Sequence, residues 1–312
     1  QTAPTGTVQV AADTHNLISP LFDFESLGGI EVKGKSEPVP AYRVIGPKAV
    51  PGRLRGIEGL STPLVGRDKE IGALTQALEN LQQGVGGIVC LMGEAGMGKS
   101  SLLETAKAGW KRIAGSDAPW VEGRGVSYES ARPYGLFMQL ARQIYGIEET
   151  DPLEVVRDKV ARTQAAFPSE VQTVVVRGIE ALFAVGTESD GPHLRGEALK
   201  QELYHANRAI LHASASHAPT VVVLDDLHWA DPASVDLLID NHLSLADEVP
   251  ILSLFSFRPE RQSPAWRIKQ TAETDYPHRY TEIALSALSD EDSEVLFGNL
   301  LNIADAPPEL SQ

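Results

Sequence analysis

The sequence predicts an α/β protein in which a parallel sheet lies between two layers of helices, joined to a small N-terminal α+β segment. Three observations support this prediction. Strand-like and helix-like patterns alternate from about residue 63 onward, which is typical of parallel strands with helical crossovers. A glycine-rich loop follows one apolar strand, and two adjacent carboxylates follow another. The chain of 312 residues is long enough for one large domain or two modest ones.

The N-terminal segment is predicted to contain one helix and two strands. We expect a short helix over 11–19, with Leu17 and Ile18 buried, because a proline follows it directly. The alternating patterns at 30–33 and 41–45 predict two strands, and the connection between them is rich in Gly, Pro and Ser. This segment is expected to occupy residues 1–47.

The larger core is predicted to begin after a linker. Residues 48–62 are interrupted by prolines and glycines and show no hydrophobic period, so we interpret them as the linker. The core then spans 63–288. Its predicted strands cover 88–92, 120–123, 220–224, 251–257 and 279–285, and its predicted helices include 68–81, 136–145 and 197–213. Ser289, with Asp292 three residues later, predicts the start of a closing helix.

Residues Gly93–Ser100 read GEAGMGKS, which is a complete phosphate-binding (Walker A) loop between a strand and a helix. Backbone N–H groups of such a loop surround phosphates, and the following helix adds the positive end of its dipole. Lys99 is predicted to reach the β- and γ-phosphates, and the Ser100 hydroxyl to bind Mg²⁺. The predicted nucleotide-binding residues here are Gly93, Glu94, Ala95, Gly96, Met97, Gly98, Lys99, Ser100 and Ser101. The fold class is therefore a P-loop NTPase three-layer αβα sandwich.

The apolar strand at 220–224 ends in Asp225 and Asp226, which has the form of a Walker B element. Asp225 is predicted to hold Mg²⁺, directly or through a water. Asp226 is predicted to orient or deprotonate an attacking water. The alternative is an acidic loop after a core strand. Because 126 positions separate Lys99 from Asp225, an additional strand and a helical insertion are expected between them.

Composition limits the classes of function. The net charge of −15 argues against binding nucleic acid through phosphate neutralisation alone. A single cysteine, Cys90, excludes a disulfide framework within the chain and is in keeping with a reducing cytoplasm. No apolar stretch reaches the roughly 18 residues needed to cross a bilayer. Because the chain begins at Gln1 without a leader, we expect a piece of a longer polypeptide.

Three segments together resemble the STAND class of AAA-related ATPases, which are signalling NTPases of large regulators. They are PLVGR at 63–67, the phosphate-binding loop, and LDDLHWAD at 224–231. The resemblance covers the chain from about Pro63 to its end and implies that 289–312 begins a helical lid. Asp226 departs from the wider AAA pattern, in which motor-type members usually have glutamate. The shorter side chain puts fast hydrolysis in doubt.

The same resemblance implies further site residues. Val65, Gly66 and Arg67 match the segment that packs beside the adenine and ribose. Arg258 matches a sensor of the γ-phosphate. The alternatives are an exposed charge at a helix start for Arg67 and a solvated loop residue for Arg258. His228 and its neighbour Trp229 are expected to pack the turn after the carboxylates rather than to act in catalysis.

The N-terminal segment resembles the tail of a class III nucleotidyl cyclase domain. The match is carried by FDFE at 22–25, IEVKGK at 30–35 and PVPAYRV at 38–44. In that family a lysine at the position of Lys33 can contact substrate phosphates, whereas the alternative is an ordinary lysine at a strand end. The metal-binding aspartates of such a domain lie upstream of this match and are not present here, so we expect no cyclase activity from this chain alone.

We therefore expect a signalling switch that binds ATP with Mg²⁺ and hydrolyses it slowly to ADP, within a larger cyclase-linked protein. Its expected partners are the nucleotide and other domains of the same polypeptide, with no membrane and no nucleic acid. The oligomeric state stays open, and a homo-oligomer is one alternative. Two other functions stay open as well. One is a motor or loader of the origin-recognition type, and the other is a scaffold that holds nucleotide without hydrolysing it.

Overall fold

The computed structural model describes residues 3, 7–12, 14–15, 19, 22–30, 39–47, 64–126, 132–148, 150–184 and 196–301. The chain divides into two compact units, Gln1–Thr62 and Pro63–Gln312, which are described separately below. Among the described residues, no helix combines the length and the apolar character that a membrane span requires.

The N-terminal unit contains a three-stranded antiparallel sheet. The strands are β1 (Gln9–Ala11), β2 (Phe22–Ile30) and β3 (Val39–Pro47), in the order β1-β3-β2. Arg43 of β3 donates a hydrogen bond to Glu25 of β2 at 2.8 Å across the sheet. β3 is the central strand of this sheet, and it includes the strand predicted at 41–45.

This unit differs from the sequence prediction in several ways. Strand β1 was not predicted, and β3 covers Val39–Pro47 rather than 41–45. The predicted helix at 11–19 was wrong at its start, because Ala11 ends β1 and pairs with Ala41 of β3. The strand predicted at 30–33 corresponds to β2, which begins at Phe22 rather than at residue 30. The alternation of partly buried and exposed side chains already starts at Phe22. Leu17, Ile18, Lys33 and the linker at 48–62 lie outside the described residues.

The larger unit is built on a parallel sheet of five strands in the order β5-β6-β7-β4-β8. The strands are β4 (Gly87–Met92), β5 (Trp120–Arg124), β6 (Thr220–Asp225), β7 (Ile251–Phe257) and β8 (Tyr280–Ala284). The fold is thus the predicted P-loop NTPase-like sandwich. The strand before the phosphate-binding loop, β4, does not pair with the strand that ends in the two carboxylates, β6, because β7 lies between them.

Helices cover both faces of this sheet and extend from it. They are α1 (Asp68–Gln82), α2 (Lys99–Ala114), α3 (Gly135–Tyr145), α4 (Leu153–Thr163), α5 (Ser169–Phe183), α6 (Gly196–His217), α7 (Pro232–Leu238), α8 (Ser244–Glu248), α9 (Trp266–Asp275) and α10 (Asp290–Leu301). A 3₁₀ turn, Leu227–Trp229, follows β6, and a π-helical turn, Ile239–Leu243, joins α7 to α8. The predicted helix 68–81 is therefore α1.

The two faces of the sheet form two separate hydrophobic cores. Along β4, Val89 and Leu91 face α1 and α2, whereas Ile88, Cys90 and Met92 face the core that contains α7 to α9. This alternation is expected of a strand that is covered on both faces, and it gives the chain its three layers.

The helices between β5 and β6 form the predicted insertion and have a hydrophobic cluster of their own. Its fully buried members include Met138 of α3, Val160 of α4 and Leu182 of α5. The insertion also packs onto the sheet domain, because Leu237 of α7 belongs to this cluster and Arg208 of α6 bonds to Ser244 and Glu248 of α8.

The parallel arrangement brings all five carboxyl ends of the strands to one edge of the sheet. The phosphate-binding loop follows β4, and the paired carboxylates close β6. Arg124 ends β5, and Arg258 follows β7. The predicted loop, the two carboxylates and Arg258 therefore lie along this edge together with Arg124, which was not predicted. Open α/β sheets bind ligands at this edge.

Candidate nucleotide-binding site

The loop Gly93–Ser100 folds around its own lysine. Lys99 Nζ donates to the carbonyl oxygens of Gly93 at 2.5 Å and Glu94 at 3.0 Å, and the residue is only 7% exposed. Gly98, which precedes α2, has a φ of 88°, a left-handed conformation that glycine adopts without strain. Gly93 and Lys99 are buried, Met97 and Gly98 are half-buried, and Glu94, Ala95, Gly96, Ser100 and Ser101 are exposed. The ammonium group is thus held at the inner wall of a loop whose outer residues face solvent.

Two oxygen-bearing side chains meet next to this loop. The Ser100 hydroxyl donates to Asp225 Oδ2 at 3.4 Å, although 125 positions separate the two residues. A hydroxyl and one carboxylate are the kind of oxygen donors that Mg²⁺ uses when phosphates supply its other ligands. The residues present therefore fit a Mg²⁺–nucleotide complex, in which Ser100 and Asp225 would be the protein's ligands to the metal.

The second carboxylate, Asp226, is held by an arginine that the sequence analysis missed. Arg124 donates from Nε at 2.9 Å and from Nη2 at 2.5 Å, both to Asp226 Oδ2. Asp226 has a φ of 53°, a left-handed conformation that is uncommon for a residue other than glycine. The neighbouring Gly125 approaches closely, since a Cβ atom there would lie 2.5 Å from the Asp226 carbonyl oxygen. The turn is thus shaped by backbone packing and by an ion pair.

Arg67 is buried, which removes the alternative of an exposed charge at the start of α1. The residue is 5% exposed, and its guanidinium donates to the carbonyl oxygens of Ser286 at 2.7 Å and Met97 at 3.4 Å. It therefore joins the segment after β8 to the phosphate-binding loop. Val65 is half-buried, and Gly66 packs directly against the side chain of Asp292 in α10. A position beside adenine and ribose stays a prediction for these three residues.

Arg258 lies at the end of β7 beside an aromatic side chain. Its guanidinium is 6.0 Å from the ring centre of Trp229 and its Nη1 is 3.8 Å from Glu260 Oε1. Trp229 is 40% exposed, whereas the side chain of His228 is only 3% exposed. Burial lowers the pKa of His228, so its imidazole is neutral at neutral pH. The sensor role of Arg258 stays a prediction.

A buried aspartate links this edge of the sheet to the helical insertion. Asp231 Oδ1 accepts from the backbone N–H groups of Tyr134 and Ser234, each at 2.9 Å. Its Oδ2 accepts from the Gly135 N–H at 3.1 Å and from the Ser234 hydroxyl at 2.6 Å. One carboxylate therefore caps the starts of both α3 and α7.

The sequence contains a signal for only part of this arrangement. Asp231 directly precedes a proline, which is a recognisable start of α7. Its second cap, on α3, joins positions about a hundred residues apart and has no local signal. Arg124 is likewise an ordinary polar residue at a strand end until the pairing of β5 with β6 sets it opposite Asp225.

Comparison with known proteins places the chain in a family. A family model described as "AAA ATPase domain" matches residues 63–254, which is more than half of the chain. The chain belongs to the AAA ATPase domain family. The matched range contains the phosphate-binding loop, both carboxylates and Arg124, and it ends before Arg258. Membership of this ATPase family implies nucleotide binding.

One relative of this AAA ATPase domain is a protein of Rhizobium meliloti (strain 1021) described as uncharacterized protein R02095. The two are 25% identical over 268 residues, which cover 84% of this chain and 25% of the relative. The chain thus spans about a quarter of the length of that relative.

Two solved structures are also similar to the AAA ATPase chain, each at 15% identity. The Aeropyrum pernix ORC2 protein, in ADPNP–ADP complexes, covers 81% of this chain and is itself covered to 57%, with a TM-score of 0.42. A STAND protein with a tetratricopeptide repeat sensor, from Pyrococcus horikoshii, covers 82% of this chain and is covered to 29%, with a TM-score of 0.37. Neither likeness bears on the function of this chain.

Proposed function

We propose that this AAA ATPase domain binds Mg²⁺–ATP at the carboxyl edge of its sheet and hydrolyses it slowly, as a signalling switch. The observation that carries the proposal is the convergence of Ser100 and Asp225 beside the lysine of the loop. A triphosphate at this position would replace the carbonyl partners of Lys99 with its β- and γ-phosphates. Mg²⁺, held by Ser100 and Asp225, would neutralise the charge that develops on the phosphates.

Slow turnover is supported by the state of Asp226. An aspartate is one methylene shorter than the glutamate of motor-type members, and here Oδ2 already accepts two hydrogen bonds from Arg124. Only Oδ1 is left to accept from an attacking water. A long-lived triphosphate suits a switch, because it keeps the nucleotide-bound conformation populated until hydrolysis.

The wider setting of the switch is a proposal from the sequence resemblances. We propose the STAND class for residues 63–288, a lid beginning at 289, a linker at 48–62, and a cyclase-type tail over 1–47. The acidic balance of the chain, −15, gives no support to a DNA loader. In the switch, ATP and ADP would favour different arrangements of this domain relative to other parts of a longer polypeptide.

The proposal is tested by the stabilisation that ATP gives to the folded chain. At an ATP concentration a hundred times Kd, binding contributes about 2.7 kcal/mol. For a domain of this size that is a rise in Tm of roughly 5 to 10 °C. Lys99→Ala should abolish the rise, whereas Lys111→Ala, an exposed lysine on the same helix, should preserve it.

Hydrolysis is tested separately from binding. In single-turnover experiments with radiolabelled ATP, the unmodified chain should release phosphate slowly, and Asp226→Asn should reduce the rate further without weakening binding. Binding without any phosphate release would favour the scaffold and reject the enzyme. An equal Tm rise in the Lys99→Ala variant would reject the nucleotide site itself.

A further inference from the structure

His228 is a buried imidazole whose two nitrogens lack partners. Its side chain is 3% exposed, and no described residue lies within hydrogen-bond reach of Nδ1 or Nε2. Buried polar atoms without partners are rare, because each forfeits its hydrogen bonds to water. The ring lies against Trp229, with ring centres 5.0 Å apart, and that contact satisfies neither nitrogen. The position therefore requires an explanation other than packing.

The nitrogen Nδ1 faces the one oxygen of Asp226 that Arg124 does not engage. Arg124 donates both of its hydrogen bonds to Oδ2, whereas His228 Nδ1 lies 3.9 Å from Oδ1. That separation is too long for a direct hydrogen bond. Two groups that each bond to one shared water at about 2.8 Å lie roughly 4 to 5 Å apart, so the gap is close to what a bridging water needs.

The 3₁₀ turn that contains His228 follows β6 at the carboxyl edge of the sheet, where the γ-phosphate is expected. His228 lies two positions after Asp226, and its neighbour Trp229 has the Arg258 guanidinium 6.0 Å from its ring centre. Burial is the main cause that lowers the pKa of His228, and the charges of Asp226, Arg258, Glu260 and Lys99 act on it more weakly. Arg258 and Lys99 are the two cations of this set. A water held between His228 and Asp226 would therefore lie on the side of the site where the terminal phosphate is attacked.

We propose that His228 is a further catalytic residue, which holds the attacking water together with Asp226. The inference rests on the proposed ATP hydrolysis. Nδ1 of the neutral ring accepts one O–H of the water and Asp226 Oδ1 accepts the other. With both hydrogens engaged, a lone pair of the water oxygen is directed at the γ-phosphorus.

The reaction then balances without another reactant. The water oxygen forms a bond to the γ-phosphorus while the bond from that phosphorus to the βγ-bridging oxygen breaks, and the electron pair leaves with ADP. The water proton passes to Asp226 Oδ1 and afterwards to the released phosphate or to solvent. His228 fixes the direction of attack and stays neutral throughout.

The test replaces the imidazole with an apolar side chain of similar bulk. His228→Leu should lower the single-turnover rate about tenfold to a hundredfold, with the Kd for Mg²⁺–ADP and the Tm unchanged or the Tm raised. His228→Asn, which retains an acceptor oxygen, should recover part of the rate. The matched control is His242→Leu, a second buried histidine that is bonded to Ser253 Oγ at 3.2 Å and lies in the π-helical turn. It should leave the rate unchanged.

Each outcome decides one question. If His228 only packs the turn, the leucine variant will turn over ATP at the normal rate, and the inference is overturned while the ATPase proposal stands. An equal loss of rate in the leucine and asparagine variants, together with a lowered Tm in both, would also overturn it in favour of a structural role. An unmodified chain that hydrolyses no ATP would overturn both proposals.

Discussion

Removal of the Asp231 carboxylate is expected to destabilise the AAA ATPase domain strongly. In Asp231→Ala, the N–H groups of Tyr134 and Ser234 and the hydroxyl of Ser234 lose their acceptor together. The Gly135 N–H loses one of its two acceptors and keeps the Arg132 carbonyl oxygen at 3.0 Å. The site is buried, so water does not replace the lost carboxylate freely. The defect combines two lost helix caps with buried donors left without partners.

The expected loss in the free energy of unfolding follows from the number of lost interactions. The loss of a single N-cap costs about 1 to 2 kcal/mol, and two caps are lost here. With the penalty for unpartnered buried N–H groups, we expect a total of about 4 kcal/mol. Asp231→Asn keeps an oxygen at the Oδ1 position, which retains the bonds from Tyr134 and Ser234 and loses that from Gly135. Its cost should be about 1 to 2 kcal/mol.

Urea unfolding followed by tryptophan fluorescence measures both variants. With a slope of about 3 kcal/mol per molar urea, the alanine variant should lower the midpoint by about 1.3 M. The control is Ser289→Ala at the exposed start of α10. It removes the bond that Ser289 Oγ accepts from the Asp292 N–H and the bond that it donates to Asp292 Oδ2, and it should cost about 1 kcal/mol or less. An alanine variant at position 231 no less stable than this control would refute the shared-cap reasoning.

Two further predictions concern the same domain. Gly125→Ala should destabilise by about 1 to 3 kcal/mol, because its Cβ would meet the Asp226 carbonyl oxygen at 2.5 Å, whereas Gly72→Ala, in open space on α1, should stabilise by about 0.5 to 1 kcal/mol. Equal effects in urea unfolding would contradict the close approach. Burial lowers the pKa of His242 from 6.5 to about 4, so the unfolded chain takes up the proton first on acidification. The stability due to the neutral ring is therefore complete above pH 6.5 and is lost as the pH falls towards 4, by about 3 kcal/mol in total. His242→Leu should flatten this part of the stability–pH curve, and an unchanged curve would show that the ring is not the cause.

Much of the core could be read from the sequence because its signals are local. The three central strands of the larger unit, β4, β6 and β7, are mainly apolar runs, and β7 occurs at the predicted residues, Ile251–Phe257. The phosphate-binding loop is defined by residues that are adjacent in the chain, and the Ser289–Asp292 cap is contained within one turn. The secondary structure of the N-terminal unit was predicted less accurately from the sequence. There the pairing of β1 with β3, which is not a local property, decides that Ala11 is extended.

The sequence by itself determined the α/β class, the loop that would hold phosphates and the paired carboxylates after an apolar strand, because each of these depends on neighbours within a few positions. Only the tertiary structure decided that β7 separates β4 from β6, that Arg124 engages Asp226, and that Asp231 caps two helices. These depend on strand order and on contacts between residues about a hundred positions apart. The free energy of such contacts comes from packing the whole domain, and no local pattern encodes it.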